Sequence, residues 1–237
     1  MAKFRDTLAE RWHSPELATA ADTPATLGAA LLYFLKQPSV IVLGGMGLLT
    51  LAYRLTLGAF SLWDVALVVG LVAWWPMQEW LIHVLVLHFK PRQLGPLRLD
   101  PLNGRKHRAH HRDPWRLSLV FIPLFTVLPG APLILLGWTA AMPSLTLGLT
   151  GAAAYYLLSA HYEWVHYLSH VRYRPRTAHY QRLVDAHRRH HFKSERHWYG
   201  VSMTLGDRIL GTAPALDSIP TSPTVRTLGV GQPGQTL

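Results

Sequence analysis

Long apolar runs alternate with two basic stretches along this chain. From Gln37 to Tyr53 there is no Asp, Glu, Lys or Arg, and the apolar stretch continues to Phe60 with Arg54 as its one charge. A second run, Leu62 to Leu87, has only Asp64, Glu79 and His83 as ionisable positions. The longest, Leu117 to Tyr162, is 46 residues without a charged side chain. A membrane-spanning helix needs about 20 residues, so that run predicts two crossings and a turn. Helices are expected at about 39–57, 61–83, 117–136 and 145–168, paired into two hairpins by short connections at 58–60 and 137–144. Pro129–Pro132 and Met142–Pro143 are the expected bends.

The flanks divide the rest. Met1 to Asp22 is polar and mixed in charge, without the apolar core of a cleavable signal. Ala25 to Leu35 is apolar but too short to span, and reads as an interfacial helix. From Pro220 the chain is rich in Pro, Gly and Thr, which predicts a disordered tail. The expected organisation is an N-terminal segment (1–38), a membrane domain (39–219) and a tail (220–237). The expected fold is all-α and integral to the membrane, with four transmembrane helices and a histidine-rich helical cap.

Composition sharpens this picture. The chain is 49% hydrophobic and 15% charged, against about 25% charged in an average soluble domain. It has no Cys, which excludes disulfides, thiolate zinc sites, Fe–S clusters and cysteine nucleophiles. Its net charge is +10, but the basic residues are not spread evenly. Lys90 to Arg116 holds eight Lys/Arg and the chain after His170 holds ten, while both hairpin connections hold none. The positive-inside rule therefore places the 90–116 loop, the C-terminal segment and the N-terminus in the cytoplasm, and makes the net charge a topology signal rather than a nucleic-acid footprint. Arg54 is expected to snorkel from the far end of the first span.

Fourteen His remain to be explained. Eleven fall in four clusters at the expected cytoplasmic helix ends: His83-x4-His88, His107-x2-His110-His111, His161-x4-His166-x3-His170 and His187-x2-His190-His191. Residues at i, i+3 and i+4 share a helix face, so each HxxHH is expected to present three imidazoles to one site. His161, about 140° round the helix from His166, faces away. His83 and His88 share a site only if the helix ends or kinks between them, or else they serve different metals. Ten imidazoles are too many for one metal, and five each for two suits a dinuclear centre. Imidazole accepts Fe, Zn, Cu or Ni. Beside an apolar membrane slot, iron suits attack on a lipid C–H bond.

The order HxxxxH, HxxHH, HxxxH, HxxHH resembles the membrane fatty acid hydroxylase and sterol desaturase superfamily over roughly Gln78 to Thr212. Three motifs are similar to its fatty acid 2-hydroxylase branch: His88-Phe89-Lys90-Pro91; His111-Arg112-Asp113-Pro114 followed by Leu119-Val120-Phe121-Ile122-Pro123; and Trp198-Tyr199-Gly200-Val201-Ser202 before Asp207-Arg208. That branch often carries a fused cytochrome b5 domain, which residues 1–38 do not resemble, and His161, His179 and His197 have no place in the pattern. The resemblance implies a diiron enzyme that uses O2 to hydroxylate a fatty acyl chain. His83, His88, His107, His110, His111, His166, His170, His187, His190 and His191 would be the iron ligands, with zinc a substitute in isolated protein and no catalytic residue beyond them. Glu79 and Glu163, four and three residues before His83 and His166, are expected to accept N–H bonds from ligand imidazoles. Trp74, Trp75, Trp80 and Trp164 are candidates to line an acyl slot, and Asp185 and Asp207 to pair with arginines.

Hydroxylation with O2 needs two external electrons, and with no Cys to hold an Fe–S cluster the chain needs a carrier. A ferredoxin or cytochrome b5-like protein would dock on the basic surface around Arg105–Arg116 and Arg172–Arg189. Sterol, hopanoid or carotenoid hydroxylation or desaturation is the alternative chemistry. A metal-binding or transport protein is the non-enzyme alternative, disfavoured because Leu117 to Tyr162 offers only His161 as an ionisable group apart from Tyr.

Overall fold

The computed structural model describes residues 16–231; His13 and the extreme ends of both flanking segments lie outside them. The chain is mostly helical. Its helices are α1 (Leu27–Leu35), α2 (Pro38–Thr56), α3 (Leu62–Ile82), α4 (Leu102–Arg112), α5 (Leu117–Val120), α6 (Leu124–Ala141), α7 (Leu145–Ser169), α8 (Ala178–Phe192) and α9 (Leu205–Ile209). One feature departs from the all-α expectation, an exposed antiparallel hairpin of β1 (Arg92–Leu94) and β2 (Leu97–Leu99).

Three helical stretches are long and apolar enough to cross a membrane: Pro38–Thr56, Leu62–Leu87 and Leu117–Ala141. Their outer faces expose Leu48, Leu49, Trp63, Val69, Leu133 and Leu136, an arrangement that suits lipid and not water. The fourth expected helix, α7, is present but does not meet the same criterion. It packs against α2, α3 and α6 at once, so half of its surface is protein-facing and need not be apolar. Small residues let α6 come close. A Cβ on Gly148 would lie 2.6 Å from the Cα of Thr139, and one on Gly151 would lie 2.4 Å from the Trp138 ring.

The stretch expected at 117–136 is broken. Helix α5 stops at Val120, Phe121–Pro123 is irregular, and α6 then runs without a break through Pro129 and Pro132 to Ala141. Side chains from two other helices take up backbone groups at the break. Lys106 Nζ donates to the Phe121 carbonyl at 2.5 Å, and the Ile122 N–H donates to Glu163 Oε1 at 2.9 Å.

Arg54 does not snorkel. It is buried, with its guanidinium on Asp64 Oδ1 at 2.9 Å, Thr150 Oγ1 at 2.9 Å and the Gly58 carbonyl at 2.5 Å. The charge is neutralised where it stands by the acid that also closes the Ser61 capping box of α3, and the three groups tie α2, α3 and α7 together. Helix α1 buries Ala30 and Phe34 against Phe121, Trp164 and Tyr167 and exposes Leu27, Leu31, Leu32 and Leu35. The tail also differs from its composition. Residues 220–231 pack down with Val225 and Leu228 buried, held by bonds from Ser222 N–H to the Lys193 carbonyl and from Thr224 Oγ1 to Glu195.

Candidate metal centre

All ten boxed imidazoles converge beyond the ends of α3 and α7. They form two groups, His83, His88, His107, His111 and His190 in one, and His110, His166, His170, His187 and His191 in the other. Within each group one ring nitrogen from each histidine lies within 4.8 Å of those of the others, and the His111 and His191 rings stack at 4.1 Å where the groups meet.

Two local devices produce this. The spacing of His83 and His88 fits because α3 continues into a π-helical turn, His83–Leu87, in which the His88 N–H donates to the His83 carbonyl at 2.9 Å. An i→i+5 turn absorbs one extra residue and brings the two rings to 4.8 Å. The HxxHH boxes, by contrast, do not each serve one group. On α4, His107 and His111 join the first group and His110 the second; on α8, His187 and His191 join the second and His190 the first. Adjacent helical residues diverge by about 100°, so each helix straddles both groups and gives the i+3 position to its neighbour.

The donor chemistry fits a metal. The Nδ1–H groups of His83, His111 and His190 donate to the carbonyls of Tyr199 (2.6 Å), Val225 (3.0 Å) and His197 (2.8 Å). A carbonyl only accepts, so the ring proton sits on Nδ1 and Nε2 is left as a lone pair. Yet His111 Nε2 and His190 Nε2 face each other at 3.2 Å. Two lone pairs at that distance repel unless a cation lies between them. The other close pairs, His83–His107, His107–His111, His88–His190 and His187–His191, have Nε2 atoms 3.0–3.2 Å apart. Nitrogens at 90° about a metal, each at a bond length of about 2.1 Å, are about 3.0 Å apart. In the second group, both ring nitrogens of His110 lack a hydrogen-bond partner among the described residues, a state that buried polar atoms rarely tolerate without a ligand.

Burial pushes His107, His110, His170, His187, His190 and His191 well below the ordinary histidine range, and His111 down to about 3. These imidazoles therefore stay neutral and available at neutral pH. Unfolded, each would take up a proton below about 6.5. A folded pKa lowered below the unfolded one costs stability as pH falls through the unfolded value. Thermal unfolding measured from pH 7.5 to pH 5 should show a melting temperature that falls progressively below about pH 6.5; a flat profile would contradict this set of buried, neutral imidazoles.

The carboxylates behind the ligands are not where the sequence put them. Glu79 accepts from Trp75 Nε1 at 2.8 Å, from the Ser202 hydroxyl and from the Val201, Ser202 and Met203 amides, so it pins the 201–203 loop and not an imidazole. Glu163 is engaged at the α5–α6 break. At His83 the Tyr199 carbonyl takes the role expected of Glu79, and sequence gives no signal for it. Asp185 pairs with Arg174 at 3.6 Å as expected, but Asp207 accepts from the Tyr199 and Gly200 amides and from Thr212. His161 lies 3.3 Å from the Tyr180 hydroxyl and His197 lies 2.9 Å from the Ser194 hydroxyl; neither they nor His179 belong to a histidine group.

An apolar cavity of about 280 Å³ adjoins the histidines, with His107 of the first group and His166 of the second in its wall. Of the four tryptophans, only Trp75 lines it; Trp74 is exposed, Trp80 bonds Thr212 and Trp164 packs on Phe34. The basic surface is narrower than expected. Lys106 and Arg108 are buried, Arg108 is bonded to Asp100, Arg116 pairs with Asp113, and Arg188 donates to the Ser169 and Val171 carbonyls. Arg172, Arg174, Arg176, Arg182 and Arg189 of the second expected stretch are exposed, and Arg182 and Arg189 border a groove with Arg208.

Three stretches able to cross a membrane, two five-imidazole groups that could hold metal and an adjoining apolar cavity define a helical, histidine-rich class of membrane protein. The chain belongs to the fatty acid hydroxylase family, whose model matches residues 68–212. It is 27% identical over 144 residues to dihydroceramide fatty acyl 2-hydroxylase FAH2 of Arabidopsis thaliana, covering 60% of this chain and 58% of that one. It is 28% identical over 143 residues to dihydroceramide fatty acyl 2-hydroxylase FAH1 of the same plant, covering 59% and 57%. The matched region thus spans less than two thirds of the length of these relatives. No solved structure matches.

Proposed function

We propose that the chain is an iron-dependent, O2-using membrane hydroxylase that inserts a hydroxyl into a fatty acyl chain. The observation that carries this reading is the shared cavity wall: one apolar space reaches His107 of one five-imidazole group and His166 of the other. His83, His88, His107, His111 and His190 would hold one iron, and His110, His166, His170, His187 and His191 the second, with zinc able to substitute in isolated protein. Bound iron supplies the activation of O2 that an unactivated C–H bond requires. The chain's own residues do the remainder. Nδ1–H bonds to backbone carbonyls fix the ligand tautomers, and the cavity wall orients the hydrocarbon and keeps water out. Lipid mass spectrometry of cells with and without the chain should reveal acyl chains gaining one oxygen; an unchanged lipid profile with iron-loaded protein present would overturn the reading.

In this account α2, α3, α6 and α7 make four crossings of a membrane domain (39–219), α1 lies in the interface, and the histidines and both termini face the cytoplasm. The Lys/Arg-free connections support that orientation. Because the chain has no native Cys, single cysteines at Pro143 and Leu97, both exposed, report sidedness without background. Labelling should reach them from opposite sides of the membrane; the same side for both would break the four-span arrangement.

The two electrons would come from an acidic ferredoxin or cytochrome b5-like carrier docked at the Arg182–Arg189–Arg208 groove. Turnover should need an added reductase system. It should fall with salt as the Debye length shrinks from about 10 Å at 0.1 M to about 3 Å at 1 M. Turnover by the purified chain with NADPH alone would contradict this supply route.

A further inference from the structure

We propose that Lys106 is the specificity-determining residue of the cavity, donating a hydrogen bond to the acyl carbonyl oxygen of the substrate so that the carbons next to that carbonyl lie beside the histidines. Asn103, Lys106 and His107 sit at i, i+3 and i+4 on α4, and all three line the cavity. A chain anchored at Lys106 is therefore anchored one residue from a ligand imidazole. The rest of the wall, with Leu43, Ile82, Val127 and Ile134, accepts hydrocarbon.

Lys106 combines spare donors with a positive charge. Its ammonium has three N–H groups, and the Phe121 carbonyl takes one. Several other polar groups on the wall are engaged: Gln78 donates to the Tyr155 hydroxyl, Ser159 donates to the Tyr155 carbonyl, the Asn103 carbonyl accepts from Thr126, and Glu79 is held by Trp75, Ser202 and three backbone amides. Lys106 is also the one Lys or Arg among the described residues on that wall. A buried ammonium with unused donors is costly, and a pocket that is otherwise apolar uses its few polar groups to fix orientation. Lys106 bonds the Phe121 carbonyl and Glu163 the adjacent Ile122 amide, so a free carboxylate brought to Lys106 would approach Glu163, and a neutral carbonyl, as in an acyl amide, suits the site better.

This inference rests on the acyl-chain reading of the cavity and deepens it, and binding tests it apart from turnover. The full chain in nanodiscs is titrated by displacement of a fluorescent acyl amide with hexadecanamide, hexadecanoate or hexadecane. Wild type should prefer the amide to both others. Lys106→Met should weaken hexadecanamide about tenfold or more, the scale of a hydrogen bond to a charged group, with hexadecane unchanged. Equal weakening of amide and hydrocarbon, or none, would overturn the proposal by leaving Lys106 as only a brace for Phe121. If Lys106→Met fails to fold, Lys106→Gln, which keeps a donor for Phe121, must narrow the amide-to-hydrocarbon ratio; an unchanged ratio overturns the proposal. In an active wild type, product position should also spread away from the carbonyl in the variant. A wild type that binds the amide through Lys106 but hydroxylates nothing would leave this assignment standing and remove the hydroxylase reading instead.

Discussion

His110→Ala and His190→Ala each reduce lipid hydroxylation to below about one-thousandth of wild type, and the double variant is no worse than either alone. The reason is the crossing of the boxes. His110 belongs to the group built mainly from α7 and α8, although it sits on α4; His190 sits on α8 but belongs to the group built from the end of α3 and α4. Each substitution therefore damages a different metal site, and residues that act as one unit are grossly non-additive when removed together. Metal content in each single variant should fall from two per chain toward about one, because the site that loses an imidazole loses affinity while its neighbour keeps five. Membrane insertion should be unaffected, since neither residue lies in an apolar crossing. Activity surviving in either variant, or multiplicative losses in the double, would contradict two interdependent five-imidazole sites.

Removing residues 222–237 is the second large effect. Val225 contributes the carbonyl that orients His111, at 3.0 Å from Nδ1, and buries its own side chain beside it; Arg226 donates to the His111 carbonyl at 3.4 Å. Truncation leaves His111 free to rotate and lets water reach the first group. Loss of such an orienting partner typically costs about 10–100-fold in metal affinity. Competition with a chelator should strip one metal from the truncated chain far more readily than from the full chain, while the second is retained more strongly. Equal retention by both chains would show that the tail is packed there without supporting the site.

The sequence carried the helices and the set of clustered imidazoles because both depend on local pattern. Apolar runs gave α2, α3 and α7 to within a residue or two, and the clustering of His marked all ten convergent imidazoles. What escaped depends on contacts through space. Arg54 reads as a charge that must reach water because its partner Asp64 lies across the turn and Thr150 far along the chain. The break at Phe121–Pro123 is stabilised by Lys106 and Glu163 from two other helices, whereas the two prolines that look like bends sit inside a continuous α6. The π-turn at His83 was signalled only by the awkward spacing to His88, one residue too long for an α-helical face. The division of each HxxHH between two groups needs the packing of α4 against α8. Composition also misread the tail, since two buried apolar residues, Val225 and Leu228, outweigh a Pro/Gly/Thr-rich background.

The central claim is that ten imidazoles make two metal sites of five. It is tested most directly by the metal-to-chain ratio of the full protein purified from iron-supplied cells, measured by elemental mass spectrometry against quantified polypeptide. The account predicts about two iron ions per folded chain. A folded chain that holds one metal ion or none would contradict it.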